Sequence, residues 1–328
     1  MNPAQQQHRS AIARANTRPQ RGVALLATMM AVALLTILIM DFTTSTNVAY
    51  RQAANQANQL RAYYLARSAV NVGIALLADD ARKAALSNTP RVDSLQSIWA
   101  LPFPPLPLGG GWASLSIVDE ARKLNINQLV APNGQVNQPF AETLSRLLTI
   151  LGIDPTELVP ALIDWLDPDS VTTPGGAESD FYLHLIPPYE ARNGPMPTIG
   201  DLRMVRGVDE VTFRRLRNFL TTTPSVRVNI NTASAEVLMA VAPQFQESPS
   251  VLRTILEERV SHPFTSISDV SQFLGPSAAG SLPAALATTS DYFTVRGMGS
   301  FAGTRTYVYA VIRRTGPGPQ LLLDWHED

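Results

Sequence analysis

The uncharged run VALLATMMAVALLTILIM, Val23 to Met40, constrains this chain more than any other feature. As a helix rising about 1.5 Å per residue it spans roughly 27 Å, close to the hydrocarbon thickness of a bilayer. Arg9, Arg14, Arg18 and Arg21 precede it, no acid stands among residues 1–22, and Asp41 follows it. Positive charge collects on cytoplasmic flanks, so the asymmetry directs residues 1–22 to the cytoplasm and the rest across the membrane. An ordinary secretory signal has a shorter apolar stretch closed by a small-residue cleavage site. No A-x-A site closes this run, which leaves a signal anchor or a retained helix.

With 328 residues, 45% of them hydrophobic and only 16% charged, the chain suits two compact domains rather than a disordered polymer. It contains no Cys, which excludes a disulfide framework, a thiolate zinc site and a cysteine nucleophile. The formal charge of −1 includes the four leader arginines, and residues 23–328 alone stand at −5. That balance argues against general polyanion binding.

From Asp41 to about Leu86 the sequence lacks Pro, has one Gly (Gly73) and is rich in good helix formers. Leu60, Tyr63, Tyr64, Leu65, Val70, Ile74 and Leu77 fall on one helical stripe. Joined to the apolar run, this predicts one helix of about 64 residues, roughly 95 Å long. ALPFPPLPLGGG, residues 100–111, is too proline-dense for helix or inner strand and reads as a loop, with a polyproline ligand as the alternative. Trp112–Val118 alternates as a strand, and Lys123–Leu129 continues as a short extended piece. Near the carboxyl end Tyr292–Val295, Thr304–Arg313 and Gln320–Trp325 read as strands, separated by turns at Gly297, Gly299, Gly303 and Gly316–Pro319. The intervening 150 residues or so read as mostly helical, a domain inserted into a helix-plus-sheet domain.

Within that insert Asp164, Asp167, Asp169, Glu178 and Asp180 crowd together around Pro168, Pro174, Gly175 and Gly176. Hard cations take several oxygens from carboxylates, carbonyls and water in a flexible cage, and Asp-x-Asp followed by a Gly turn and Glu-x-Asp offers them. The regular EF-hand register is missing. The competing reading is a solvated acidic loop with helix-capping aspartates.

Taken together, the motifs resemble a known family. Arg21-Gly22 before an apolar helix resembles the class III signal of type IV pilins and pseudopilins. DWLDPDS, PGGAESDFYL, PPYEARNGPMPTIGDLRMVRGV and VNINTASAEVLMA, in this order, resemble the minor pseudopilin K family of type II secretion. The resemblance runs from the leader to about Ala240 and weakens beyond. It implies an α+β fold, in which a pilin-like long N-terminal helix packs on a small antiparallel sheet. A large all-α insert carries helix-hairpin-helix-like repeats. Residues 1–22 are then the leader, 23–42 the transmembrane half of the helix, and 43–129 the first part of the pseudopilin domain. Residues 130–285 are the insert and 286–328 the closing strands.

The resemblance further implies cleavage by prepilin peptidase between Gly22 and Val23, with methylation of the new terminus. It implies a single pass through the bacterial inner membrane and a periplasmic carboxyl domain. Ca²⁺ is the implied cofactor, with Asp167, Asp169, Glu178 and Asp180 as ligands and Asp164 and Asp201 as secondary candidates. Phe181 stands where the family often has Tyr. The implied function is a minor pseudopilin at the pseudopilus tip, initiating or capping assembly with minor pseudopilins I and J. Most pilins carry Glu at the fifth mature position, and Ala27 stands there instead. An unpaired carboxylate in a bilayer is costly, so a subunit with no earlier neighbour is better without it.

Three other readings compete. A minor pilin of a type IV pilus-like machine shares the fold. VNINTASAEVLMAV with VLRTILEERVSHPFTSISDVSQFLG also resembles competence-type helix-hairpin-helix DNA receptors. There, Gly-rich turns present backbone N–H groups to phosphate. The equivalent turn here, AVAPQFQESPSV, has no Gly, and the earlier copy RGVDEVTF puts Asp209 and Glu210 at the phosphate position, so no nucleic acid is expected. His8, His184, His262 and His326 are scattered and HExxH and GxSxG are missing. The paired carboxylates could serve a glycosidase, but their crowding into one loop suits cation ligation better, and no catalysis is expected.

Overall fold

The structure is a computed structural model that describes residues 20–87, 90–274, 282–316 and 320–327. Arg9, Arg14 and Arg18 of the leader, His8, and residues 317–319 of the expected carboxyl turn lie outside them. In chain order the elements are α1 (Gln20–Ser87), β1 (Leu106–Leu108), β2 (Gly111–Asp119), β3 (Leu124–Asn125), α2 (Gln138–Ile150) and α3 (Pro155–Leu166). There follow α4 (Ser179–Tyr182), α5 (Glu210–Leu216), β4 (Leu220–Thr221), β5 (Val228–Asn229), α6 (Ala235–Val241), α7 (Gln244–Glu247) and α8 (Pro249–Ser261). The chain closes with α9 (Ile267–Ser271), β6 (Leu286–Ala287), β7 (Tyr292–Phe301), β8 (Thr304–Arg313) and β9 (Leu321–Glu327).

The unit up to Asn58 is helix throughout its described part, with side chains exposed from Gly22 to Ala53. It holds the one stretch among the described residues that is apolar and long enough to cross a membrane. Its polar side chains are compatible with lipid. The hydroxyls of Thr28, Thr36, Thr43, Thr44 and Thr46 each donate to a carbonyl one turn back, at 2.7–2.8 Å.

In the second unit, from Gln59 on, the rest of α1 packs on a five-stranded antiparallel sheet of order β1-β2-β7-β8-β9. Ala66, Val70 and Leu77 of α1 meet Ile117, Phe293, Val295, Val308, Ala310 and Ile312, and Trp99 stands edge-on to Phe293 at 4.9 Å. Two expectations need correction here. Leu60 and Tyr64 of the stripe are more than half exposed, and Ala62, Ala66 and Ala69 are buried in their stead. Gly297 and Gly299 are no turn but the middle of β7. A Cβ on either would collide with the carbonyl oxygen of Ala66 or Ala62. The helix and strand backbones touch there, which requires glycine on one side and alanine on the other. The proline-rich loop also ends differently. Leu106–Leu108 is an edge strand paired with β2 through the two-residue turn Gly109-Gly110, both at positive φ. Pro107 is tolerated because an edge strand needs only one set of ladder bonds.

The helical body leaves the sheet after Asp119 and returns before Tyr292, positions at one end of the paired strands β2 and β7. Its core is larger than those beneath the sheet and already includes Leu124, Ile126 and Leu129, ahead of the expected boundary at 130. A buried polar junction ties body to sheet. Asp119 Oδ2 accepts from Thr232 Oγ1, from Ser290 Oγ at 2.6 Å and from Asn229 Nδ2 at 3.2 Å, while its Oδ1 accepts from the Ala121 N–H at 2.8 Å. Arg314 bridges Asp93 and Asp80, and Asp93 accepts from the Ser290 N–H at 2.7 Å. Asn231 grips Phe264 by backbone N–H and carbonyl, each at 3.0 Å. The NINT residues thus point inward and bind protein.

Candidate metal centre

Local chemistry dictates how the acidic loop is built. Asp167 precedes Pro168, which forces extended backbone and ends α3 there. Gly175 turns the chain back at φ +88°. Gly176 packs so close to the Asp164 carboxylate that a Cβ would overlap it. Glu178 lies extended just ahead of α4. Three aromatic rings clamp these segments together. Trp165 meets Tyr182 edge-on at 5.1 Å and Tyr189 at 6.3 Å, and Tyr182 and Tyr189 stack at 5.2 Å. Tyr182 and Trp165 are buried.

The result is a group of three carboxylates. Asp167, Asp169 and Glu178 each offer an oxygen within 4.8 Å of the others. Asp167 and Glu178 are buried and Asp169 is exposed. Asp180, expected as the fourth ligand, lies outside this group, exposed in the first turn of α4. Of the secondary candidates, Asp164 is fully buried and accepts from the Thr173 N–H at 3.0 Å, and Asp201 is engaged elsewhere by Thr198 and Arg192.

The electrostatics of the three are unfinished. Asp167 Oδ1 and both oxygens of Glu178 are buried without a hydrogen-bond donor. Burial first, then the charges of Asp169 and Asp164, push the Asp167 carboxyl up to about 6. Burial, then Asp167 and Asp164, push Glu178 up to about 7. Like charges without donors cannot all stay ionised in such a site unless a cation joins them.

Sequence reasoning missed one neighbour. Asn193 has a left-handed backbone, φ +48°, and donates through Nδ2 to the Asp169 carbonyl at 2.8 Å. Its Oδ1 is buried without a donor. It is the Asn of PPYEARNGP, so the motif was visible while the role was not. The aromatic clamp belongs to the same motifs, where no spacing rule sets its rings apart from ordinary core.

A long amino-terminal helix laid on an antiparallel sheet, with a helical body between adjacent strands, defines a pilin-like subunit. Two sequence models described as type II secretion system protein K match residues 122–225 and 228–292. The chain is 30% identical to type II secretion system protein K of Pseudomonas aeruginosa over 308 residues, covering 92% of this chain and 91% of that one. It is 28% identical to the protein of the same name from Klebsiella pneumoniae over 269 residues, covering 79% and 80%. Among solved structures it resembles a chain of the GspK–GspI–GspJ complex from the type 2 secretion system of enterotoxigenic Escherichia coli. The TM-score is 0.69 at 21% identity, covering 85% of this chain and 99% of that one. The chain belongs to the type II secretion system protein K family. It is a minor pseudopilin, a structural subunit and not an enzyme.

Proposed function

We propose that this chain caps the tip of the type II secretion pseudopilus and starts its assembly with minor pseudopilins I and J. The observation that carries the reading is the insertion of a large helical body at one end of β2 and β7. A body of that size at the end of the pilin module would obstruct a further subunit stacked there. The complex in which the similar solved chain was captured, with GspI and GspJ, supports the choice of partners. Prepilin peptidase would cut between Gly22 and Val23, and the apolar helix would hold the subunit in the inner membrane with its amino end cytoplasmic. Ala27 leaves the helix without a carboxylate that needs an earlier neighbour.

Asp167, Asp169 and Glu178 would hold Ca²⁺, with Asn193 Oδ1 as a further oxygen, because the donorless oxygens of Asp167, Glu178 and Asn193, beside the exposed carboxylate of Asp169, form the hard set this ion takes. The ion would supply the positive charge that lets neighbouring carboxylates stay ionised together. Asp169 and Asn193 are already tied through the main chain, and the aromatic clamp holds the loop ready.

Co-purification of the detergent-solubilised full chain with minor pseudopilins I and J tests the reading. A complex formed with calcium, weakened by chelator and by Asp167→Ala with Glu178→Ala, is expected. Survival of secretion after deletion of the chain would overturn the tip role.

A further inference from the structure

The face of the sheet turned away from α1 carries a basic and aromatic row. In register across four strands stand Ser116, Arg296, Tyr309 and His326. The Arg296 guanidinium lies 4.4 Å from the Tyr307 ring centre and 5.7 Å from that of Tyr309, and His326 stacks on Tyr309 at 4.9 Å. Arg313 sits 5.8 Å over Tyr292, its direct cross-strand neighbour, and Arg305 faces Ser300. All three arginines are exposed, and among the described residues none has a carboxylate partner. Flat rings beneath a guanidinium hold its plane while leaving N–H edges free, the geometry that grips a carboxylate by two bonds.

We propose that this face is a docking surface for an acidic protein segment, with carboxylates taken by Arg296, Arg305 and Arg313 and apolar parts laid on Tyr307 and Tyr309. Charge complementarity selects the partner. The chain without its leader is acidic, so a face with three unmatched arginines stands out against its surroundings and favours an oppositely charged segment. Carboxylates also bound the row. Glu120 accepts from Thr294 at one side, and Asp324 pairs with His326 at the other. Such borders repel a continuous polyanion and tolerate spaced carboxylates, which favours a protein over a nucleic acid.

The test is fluorescence anisotropy with the full chain in neutral detergent. The probes are a labelled Asp-Ser repeat peptide, its Lys-Ser counterpart and a single-stranded oligonucleotide of equal charge. We expect the acidic peptide alone to bind, more weakly as salt rises, with Arg296→Gln reducing affinity about tenfold, the loss of one charge-assisted bidentate contact. Tyr309→Leu should weaken binding less, and Arg253→Gln, at an exposed arginine of α8, should leave it unchanged. Melting curves matched to the parent show that the variants fold. No binding of the acidic peptide, binding indifferent to Arg296→Gln, or tighter binding of the oligonucleotide overturns the proposal.

Discussion

Two carboxylate clusters lie in this molecule, and they are built in opposite ways. At the junction of sheet and helical body, Asp119 receives four donors and Asp93 is paired with Arg314. In the acidic loop, Asp167 and Glu178 face Asp169 and Asp164, three of their oxygens lack a well-formed hydrogen bond, and only the Ser179 N–H opposes the rise of Glu178. Burial is severe in both. The junction's carboxylates are answered by protein donors, whereas among the described residues no Lys or Arg pairs with the loop's three carboxylates, and Arg206 donates instead to the Gly176 carbonyl at 3.0 Å. A buried acidic residue is therefore no evidence of a metal site until its donors are counted.

The largest expected effect breaks the junction. Arg314→Leu leaves the buried Asp93 with only Arg91, at 3.4 Å, and the Ser290 N–H, and should cost about 3–5 kcal/mol of stability. In denaturant titrations the loss should be the same with calcium and with chelator, because the two clusters share no residue. Next in size is the cation itself. At a hundredfold excess over its dissociation constant, calcium should raise stability by about 2.7 kcal/mol. Asp167→Ala with Glu178→Ala should abolish that increment in thermal melts, and Asn229→Ala should keep it while lowering the baseline.

A smaller effect comes from pH. The raised carboxyls of Asp167 (about 6) and Glu178 (about 7) bind protons more readily folded than unfolded. Their contribution is therefore full below the unfolded values near 4 and is lost as pH rises through 6 to 7. In chelator, melting temperatures should fall across that window. Calcium should flatten the fall, since it takes the place of the protons. Burial also lifts Asp119, to about 6, so Asp119→Asn serves as the calcium-independent control. The smallest effect is that of Asp180→Ala, expected within about 0.5 kcal/mol and without influence on the calcium increment.

The long helix and the strands were legible because apolar runs and alternation are local signals. The glycines of β7 were misread because glycine marks a turn and a close backbone approach equally well. Only the partner, the Ala62–Ala66 stretch more than two hundred residues away in sequence, distinguishes them. The acidic loop announced itself by composition, yet composition cannot rank its members. Asp180 lies two residues from Glu178 and still falls outside the group, because one turn of α4 carries it to the surface. Asn193 was hidden for the converse reason, since an amide becomes notable only once its oxygen is found without a donor. The NINT motif resembled a DNA-binding start because the same polar residues can face phosphate or, as here, a buried aspartate.

Calorimetric titration of calcium into the solubilised full chain addresses the unfinished cluster most directly. The account predicts a saturable binding heat accompanied by proton release near pH 7, lost in the Asp167→Ala, Glu178→Ala variant and retained in Asp180→Ala. No binding heat, or an isotherm unchanged by the double substitution, would contradict it.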